Sequence, residues 1–390
     1  MAQTRGVSVF LTVSFLAAIS SVPIIQTALE IRRGERPQAL DVFRQKPTAE
    51  NLRAYETGLQ DSSWAVKILR PWMQYTQFVL LKYAGEKAVV GRRGWFFYKP
   101  GLDYLTCRPG AKKTASPNSD PLPAIISFRD QLAARGIQLL VVPVPNKESI
   151  YPEMLTRRAE GMGVALCRQT RKLFRRLEAS GVETVNLFEV FQKAKEERGE
   201  HRVGDLYLAQ DSHWSPTGVQ LAAKAVAQTI LERAWVKPGT VDYDERPVRV
   251  RRLGDVPTML QVPQLERRLP PEDFSCIQVV RRDDGAFYEG KPDSEVLVLG
   301  DSCLRIYEQD EPRAAGFVAH LARELRRPLT SIINDGGAST LVRQELHRRP
   351  ELLANKKVVI WEFVERDICF GTEGWQLVPL PAVPAVAGGQ

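Results

Sequence analysis

The chain has 390 residues, 44% of them hydrophobic and 26% charged, with a formal net charge of +8. That is enough apolar material for one large core or two modest ones, in a composition ordinary for a globular protein. The positive excess favours an anionic partner such as an acidic polysaccharide or a membrane surface, or simply keeps the protein soluble. No helix-turn-helix, zinc-finger spacing or aromatic-interleaved basic stretch accompanies it, so nucleic acid is not an expected partner.

The elements follow in chain order. After Arg5 no charge appears until Glu30, an apolar run long enough for the ~20 residues a membrane span requires. Pro23 and the small residues Ala17, Ala18, Ser20 and Ser21 offer a cleavage region, but no A-x-A site stands out. Residues 1–31 are therefore read as an uncleaved signal anchor in preference to a cleaved signal peptide, and the chain as exported. Arginines 32, 33 and 36 on the far side weaken any argument about orientation.

Residues 37–110 form a helical and hairpin region. "TAENLRAYETGLQ" carries a Thr48 cap, and "SSWAVKILRPWMQYTQFVLLKYAG" carries an aromatic and aliphatic stripe. The stripe is read as core packing, with the membrane surface as the alternative. "VVGRRGWFFYKPGLDYL" (89–105) predicts a hairpin: Gly91 and Gly94 flank a basic tip, and Trp95, Phe96, Phe97 and Tyr98 make a strand.

From residue 121 helices and strands alternate. Strands are expected at 137–145, 183–188, 295–300, 329–334 and 356–364. Helices are expected from 121, over 162–181, after 188, from 216 to about 234, and over 312–327 and 340–349. Residues 236–294, rich in Pro, Arg and Asp, read as an insertion, and 373–390 as a flexible tail. Fully apolar strands separated by helices predict a mostly parallel sheet covered on both faces.

Two stretches carry the chemistry. In "LAQDSHWSPTG" Asp211 precedes His213 by two positions, and Ser215 and Pro216 then start a helix. In "EVLVLGDSCLRI" an apolar strand breaks at Gly300 and presents Asp301 and Ser302. An acid, a base and a hydroxyl are the parts of an acyl-transfer triad, recognised by geometry rather than chain order. Each stretch alone has a plainer reading: Gly-Asp-Ser is common turn chemistry, and "DSHWSPTG" suits a helix-capping turn. Of the other histidines, His201 is expected exposed, and His320 and His347 structural or solvated. The five cysteines (107, 167, 276, 303 and 369) show no metal spacing. In an exported protein Cys107, Cys167, Cys276 and Cys369 can pair, and Cys303 is expected free under the turn.

Together the stretches resemble the SGNH (GDSL-type) hydrolases, which pair a GDS nucleophile with an Asp and His at the start of a late helix. Here acid and base precede the serine, spaced Asp-x-His rather than Asp-x-x-His. In that order the sequence is similar to the alginate O-acetyltransferases of the AlgJ and AlgX type. "GRRGWFFYKPGLDYLT", "VVPVPNKESIYPE" and "VVIWEFVERDI" extend the likeness over roughly residues 50–370. The chain length, the apolar start and the short stretch after 372 place it nearer AlgJ.

The resemblance implies an SGNH-hydrolase-like three-layer α/β/α domain over 111–372, with reordered motifs. Ser302 would be the nucleophile, His213 the general base and Asp211 its orienting acid. The backbone N–H of Cys303, with Gly336, Gly337 and Asn334, would supply the oxyanion site. Lys147, Trp214 and Arg366 would hold an acidic sugar or else be structural. No soluble cofactor or metal is implied. The expected activity is transfer of an acetyl group, through acetyl-serine, onto an anionic, uronate-rich exopolysaccharide. The expected place is the periplasm, anchored to the inner membrane, with a polytopic membrane-bound O-acyltransferase as acetyl supplier. The alternatives are a carbohydrate esterase with the same triad and a non-catalytic polysaccharide-binding or assembly protein.

Overall fold

A computed structural model describes residues 2–106, 118–198 and 206–381. The chain forms two compact units, Met1–Tyr83 with Gln261–Arg268, and Ala84–Leu260 with Leu269–Gln390.

In the first unit α1 (Ala2–Arg32) contains the 24-residue stretch Val9–Arg32, which holds an 18-residue window of mean hydropathy 1.9 and is long and apolar enough to cross a membrane. Near its end the buried Glu30 carboxylate accepts the Gln26 amide at 2.7 Å and the Gln38 N–H at 3.0 Å. Helix α2 (Ala49–Ser62) starts where Thr48 accepts the Asn51 N–H, as its sequence predicts. Helix α3 (Trp64–Leu81) follows from the Ser63 cap. The core reading of its stripe is overturned. Ala65 is buried, but Ile68, Leu69, Trp72, Met73, Val79, Leu80 and Leu81 are all exposed.

The second unit opens with strands β1 (Ala88–Val90) and β2 (Phe96–Tyr98), which pair antiparallel. This hairpin belongs with the α/β unit rather than with the N-terminal helices. The chain continues through α4 (Pro121–Ala133), β3 (Gln138–Val144), α5 (Arg168–Ala179), β4 (Glu183–Thr184), α6 (Leu187–Arg198) and α7 (Pro216–Glu232). Strands β5 (Tyr243–Arg252) and β6 (Glu272–Arg281) come next, then β7 (Val296–Gly300), α8 (Ser302–Arg305) and α9 (Phe317–Leu325). Strand β8 (Thr330–Ile333), α10 (Leu341–Arg348) and β9 (Val358–Val364) complete it.

Five strands make one parallel sheet in the order β4-β3-β9-β7-β8. Alternate side chains of its apolar strands enter two separate cores, which is why the strands read as unbroken hydrophobic runs. Val142, Val298 and Ile360 pack against α6, α7 and α9 on one face. Val141, Leu299 and Trp361 pack against α4, α5 and α10 on the other. The result is the expected three-layer α/β/α domain.

Several expectations fail locally. The run 183–188 is a strand only at Glu183–Thr184; Leu187 and Phe188 begin α6 and bury their side chains there. A short apolar run does not distinguish a strand from a buried helix end. Helix α9 is shorter than 312–327, because Ala319 N–H and the nearby turn are tied to the Glu308 carboxylate at 2.9 Å. Helix α5 likewise spans less than 162–181. Within the 236–294 segment, read as an insertion, β5 and β6 pair along ten residues each as a regular ribbon. The supposed tail is anchored at its start, with Trp375 and Leu380 buried and Trp375 Nε1–H donating to the Asp367 carbonyl at 2.9 Å. Residues 382–390 lie outside the described residues. Cys276 and Cys303 are buried thiols, so Cys276 takes no part in a pairing; Cys107 and His201 also lie outside the described residues.

Gly254, just beyond β5, lets the ribbon's end lie against the loop that carries Asp211. A Cβ there would stand 2.2 Å from the Gln210 carbonyl carbon and 2.7 Å from the Asp211 nitrogen. Both are backbone atoms that cannot turn aside. Gly254→Ala is expected to cost about 2–3 kcal/mol, as overpacking does, and to lower turnover by displacing that loop. Chemical denaturation and turnover of an acetyl ester, measured on the same preparation, check this.

Candidate active site

In an open parallel sheet, ligands bind beyond the carboxyl ends of the strands. Ser302 follows the end of β7. The turn that presents it is built from below: Asp301 N–H donates to Glu362 Oε2 at 3.0 Å, and Asp301 Oδ1 caps α8 by accepting the Cys303 N–H at 2.8 Å. Gly300 leaves room for this, since a Cβ would meet Glu362 Oε2 at 2.2 Å.

His213 lies 89 residues earlier, in the loop before α7, yet its Nε2 is 2.9 Å from Ser302 Oγ. Its Nδ1 lies 2.7 Å from Asp211 Oδ1, which also accepts the His213 backbone N–H at 3.0 Å. The sequence places acid, base and hydroxyl in one line, and the structure brings all three together. Ser215 caps α7 by accepting the Gly218 N–H, so the helix-cap reading holds beside the triad geometry.

Two further residues belong to the site, both from the segment read as an insertion. Arg252, at the end of β5, donates to Asp211 Oδ2 at 2.9 Å. Asp255 accepts the Ser212 N–H at 2.7 Å and bonds the Ser212 hydroxyl, and its Oδ2 lies 3.5 Å from His213 Nδ1. Neither has a local motif, which is why the sequence does not disclose them. Their only signal is a charge pair, Arg-x-x-Asp, flanking a glycine.

The electrostatics follow from these contacts. Burial would raise Asp211, but its hydrogen bond to His213, the imidazole's charge and Arg252 hold it well below the usual carboxylate range. Burial would lower His213, but the bond to Asp211 and the charges of Asp211, Asp255 and Asp301 raise it instead. Asp255 is pushed up by burial and by the neighbouring Asp211.

The remaining expected site residues divide. Lys147 is buried, and its ammonium donates to the carbonyls of Phe96 (2.6 Å), Ala209 (2.8 Å) and Asp211 (2.9 Å). All its donors are spent on backbone, so it braces the loop rather than meeting a sugar. Burial pushes its pKa down to about 8. Trp214 is fully buried, stacked on Phe317, and its Nε1–H donates to the Cys303 carbonyl at 3.0 Å. It too is structural. The Cys303 N–H is taken by Asp301, so it is not a ready oxyanion donor, and the Gly337 N–H closes a turn onto the Asn334 carbonyl at 2.9 Å. Asn334 and Gly336 follow the end of β8, beside β7. Arg366 is mostly buried just past β9, its guanidinium 5.1 Å from the Tyr98 ring centre and within the field of Asp367, Asp301 and Glu148.

Sequence reasoning missed Asn146. It lies two residues past β3, is 3% exposed, and both polar atoms of its side chain lack a hydrogen-bond partner among the described residues. A polar residue directly after an apolar strand was the available signal, obscured by Lys147 next to it. Of the other histidines, His320 is buried and held neutral, its pKa lowered to about 4 by burial.

Among the described residues, two clusters have ligand atoms close enough for a metal ion, Asp211–His213–Asp255 and Asp301–Cys303–Glu362. In the first, the Arg252 guanidinium already supplies a positive charge to Asp211. In the second, burial pushes Cys303 and Glu362 well up towards their neutral forms, which are poor ligands.

Residues 88–365 match the family model described as the SGNH hydrolase-like domain of acetyltransferase AlgX. The chain belongs to this family. Among curated relatives, "Probable alginate O-acetylase AlgJ" of Azotobacter vinelandii is 28% identical over 288 residues, 71% of this chain and 69% of the relative. "Alginate biosynthesis protein AlgX" of Pseudomonas aeruginosa is 22% identical over 252 residues, 61% of this chain but 48% of that protein. The solved O-acetyltransferase domain of Pseudomonas putida AlgJ shares the fold, with a TM-score of 0.56 and 21% identity. That match covers 72% of this chain and 91% of the domain.

Arg252 and Asp255 act on His213 with opposite sign. Rate requires a neutral imidazole, so it falls as pH drops through the raised pKa of His213. Asp255→Asn removes a negative charge that raises that pKa and keeps an amide to hold Ser212; the acidic limb of the pH–rate profile should move to lower pH. Arg252→Met removes a positive charge beside Asp211, and the limb should move to higher pH. Profiles of kcat/KM for the two variants and wild type test this, and equal shifts in one direction would refute it.

Proposed function

We propose that this member of the AlgX family transfers acetyl groups onto hydroxyls of an anionic, alginate-like exopolysaccharide through an acetyl-Ser302 intermediate. The observation that carries the reading is the continuous line from Asp211 Oδ1 through His213 to Ser302 Oγ, at 2.7 and 2.9 Å.

Ser302 Oγ attacks the acetyl carbonyl of a donor ester while His213 Nε2 takes its proton. The tetrahedral intermediate collapses, the donor's oxygen leaves with that proton, and acetyl-serine remains. A sugar hydroxyl then attacks the acetyl-serine and gives its proton to Nε2. Collapse releases the acetylated sugar and returns the proton to Ser302 Oγ. Asp211, kept ionised by Arg252, orients the imidazole and stabilises its protonated form. For the oxyanion we assign two donors that have no partner among the described residues: the Ser302 N–H and the Asn146 side-chain amide. Arg366, mostly buried beside the strand ends but not closed off from solvent, is assigned to a uronate carboxylate. The relatives named for alginate support this choice of polymer.

The domain would work in the periplasm with α1 in the inner membrane, receiving acetyl groups from a polytopic membrane-bound O-acyltransferase. Transfer and hydrolysis share the first half-reaction and differ in the acceptor. Incubating wild type with p-nitrophenyl acetate should give protein carrying one acetyl group by intact mass, absent from Ser302→Ala. Added oligouronate should discharge the adduct and become acetylated. Discharge to water at a rate the oligouronate leaves unchanged would make the protein an esterase. Labelling of neither protein would refute the triad.

Asn146→Ala should lower kcat by about 100-fold, the effect of losing one oxyanion donor, with KM little changed. A change confined to KM would remove Asn146 from the oxyanion site.

A further inference from the structure

Helix α3 has two faces. Pro71, Gln74, Tyr75 and Phe78 are half-buried, and the Arg268 guanidinium lies 5.1 Å from the Tyr75 ring centre. The residues at helical spacing on the opposite side, Ile68, Leu69, Trp72, Met73 and Leu80, are 55–73% exposed, and Tyr83, just past the helix, is exposed as well. A helix of a water-soluble domain turns such an arc inward; this one turns it outward.

We propose that this arc rests in the interfacial layer of an anionic bilayer, making α3 a second membrane-engaging element beside α1. The proposal rests on the reading of α1 as a membrane anchor. Four observations choose lipid as the occupant. Helix α3 starts against the apolar helix: the Trp64 N–H that opens it donates to Gln26 Oε1 of α1 at 2.9 Å. The helix carries Lys67 and Arg70 and no acid, with Lys82 directly after it. Arg267 and Arg268, in the segment of this unit packed near α3, add positive charge. Trp72 and Tyr83 are the amphipathic aromatics that settle at the level of lipid headgroups. A basic polar side and an apolar opposite side that includes an aromatic residue together make an interfacial helix.

The test uses the full chain in vesicles of phosphatidylcholine and phosphatidylglycerol, in a Cys107→Ser, Cys369→Ser background. A single fluorophore is placed through Leu69→Cys, Leu80→Cys, Lys67→Cys, Gln77→Cys or Leu16→Cys, and quenched by acyl-chain bromine. Hydrolysis of p-nitrophenyl acetate at the background rate verifies the fold of each labelled protein. Quenching at 69 and 80 should exceed that at 67 and 77 by about threefold or more, as an in-plane helix with one buried face requires. Equal quenching at all four positions, with strong quenching at 16, would overturn the proposal and leave the anchor standing. No quenching at 16 would overturn the anchor, and 69 and 80 would still decide α3. Energy transfer between copies at 69 and 80 without lipid quenching would assign the arc to a second copy and refute the bilayer.

Discussion

The bond from the Trp214 indole to the Cys303 carbonyl fixes the site, because it joins the residue after the base to the residue after the nucleophile. The two motifs stand on different elements, and their 2.9 Å contact has no covalent help. Around it the loop is held at each end. Ser215 N–H returns to the Leu206 carbonyl at 2.8 Å, Tyr307 Oη donates to the Trp214 carbonyl at 3.2 Å, and Lys147 gathers two more carbonyls of the loop. An irregular segment can place a base accurately only when its backbone groups are satisfied in this way.

The hydrogen bonds also explain the distribution of charge. A carboxylate as buried as Asp211 is costly unless paired, and His213 alone supplies a full charge only when protonated. Arg252 makes the pairing permanent, so Asp211 is ionised through the whole proton cycle of the imidazole. Asp255 adds a second carboxyl against the same ring edge while pinning Ser212. Beneath the nucleophile the logic is reversed. Glu362 is buried next to Asp301 with no cation bonded to it among the described residues, and burial and the Asp301 charge push its pKa well up despite the charge of Arg366, favouring a hydrogen-bond partner over a charge.

The layers and the triad were legible because both depend on short-range pattern. Apolar strands such as "VLVLG" and "VVIWEFV" announce a sheet buried on both faces, and Ser215-Pro216 announces the helix that positions His213. What was not legible depends on distant contact. Lys147 and Trp214 have the chemistry of ligand-binding side chains, and only the fold shows their donors spent on carbonyls. Arg252 and Asp255 lie in a stretch whose composition reads as an insertion, and ten consecutive cross-strand pairs make part of it a ribbon that ends at the site. The stripe of α3 was legible as amphipathic, but periodicity does not say whether the apolar side meets protein or something else.

That last ambiguity has a physical root. Burial in a core and burial at a bilayer surface draw on the same transfer of apolar area from water, so both select the same spacing of side chains. They differ in what the remaining faces must do. A core helix needs one solvated face and tolerates either sign of charge on it. A helix lying on an anionic surface favours positive residues alone and aromatic residues at the boundary. Helix α3 lacks any acid, keeps a protein-packed strip along Pro71, Gln74, Tyr75 and Phe78, and leaves Trp72 exposed within its apolar arc, with Tyr83 exposed just past its end. The full set of its faces, rather than the stripe by itself, separates the two solutions.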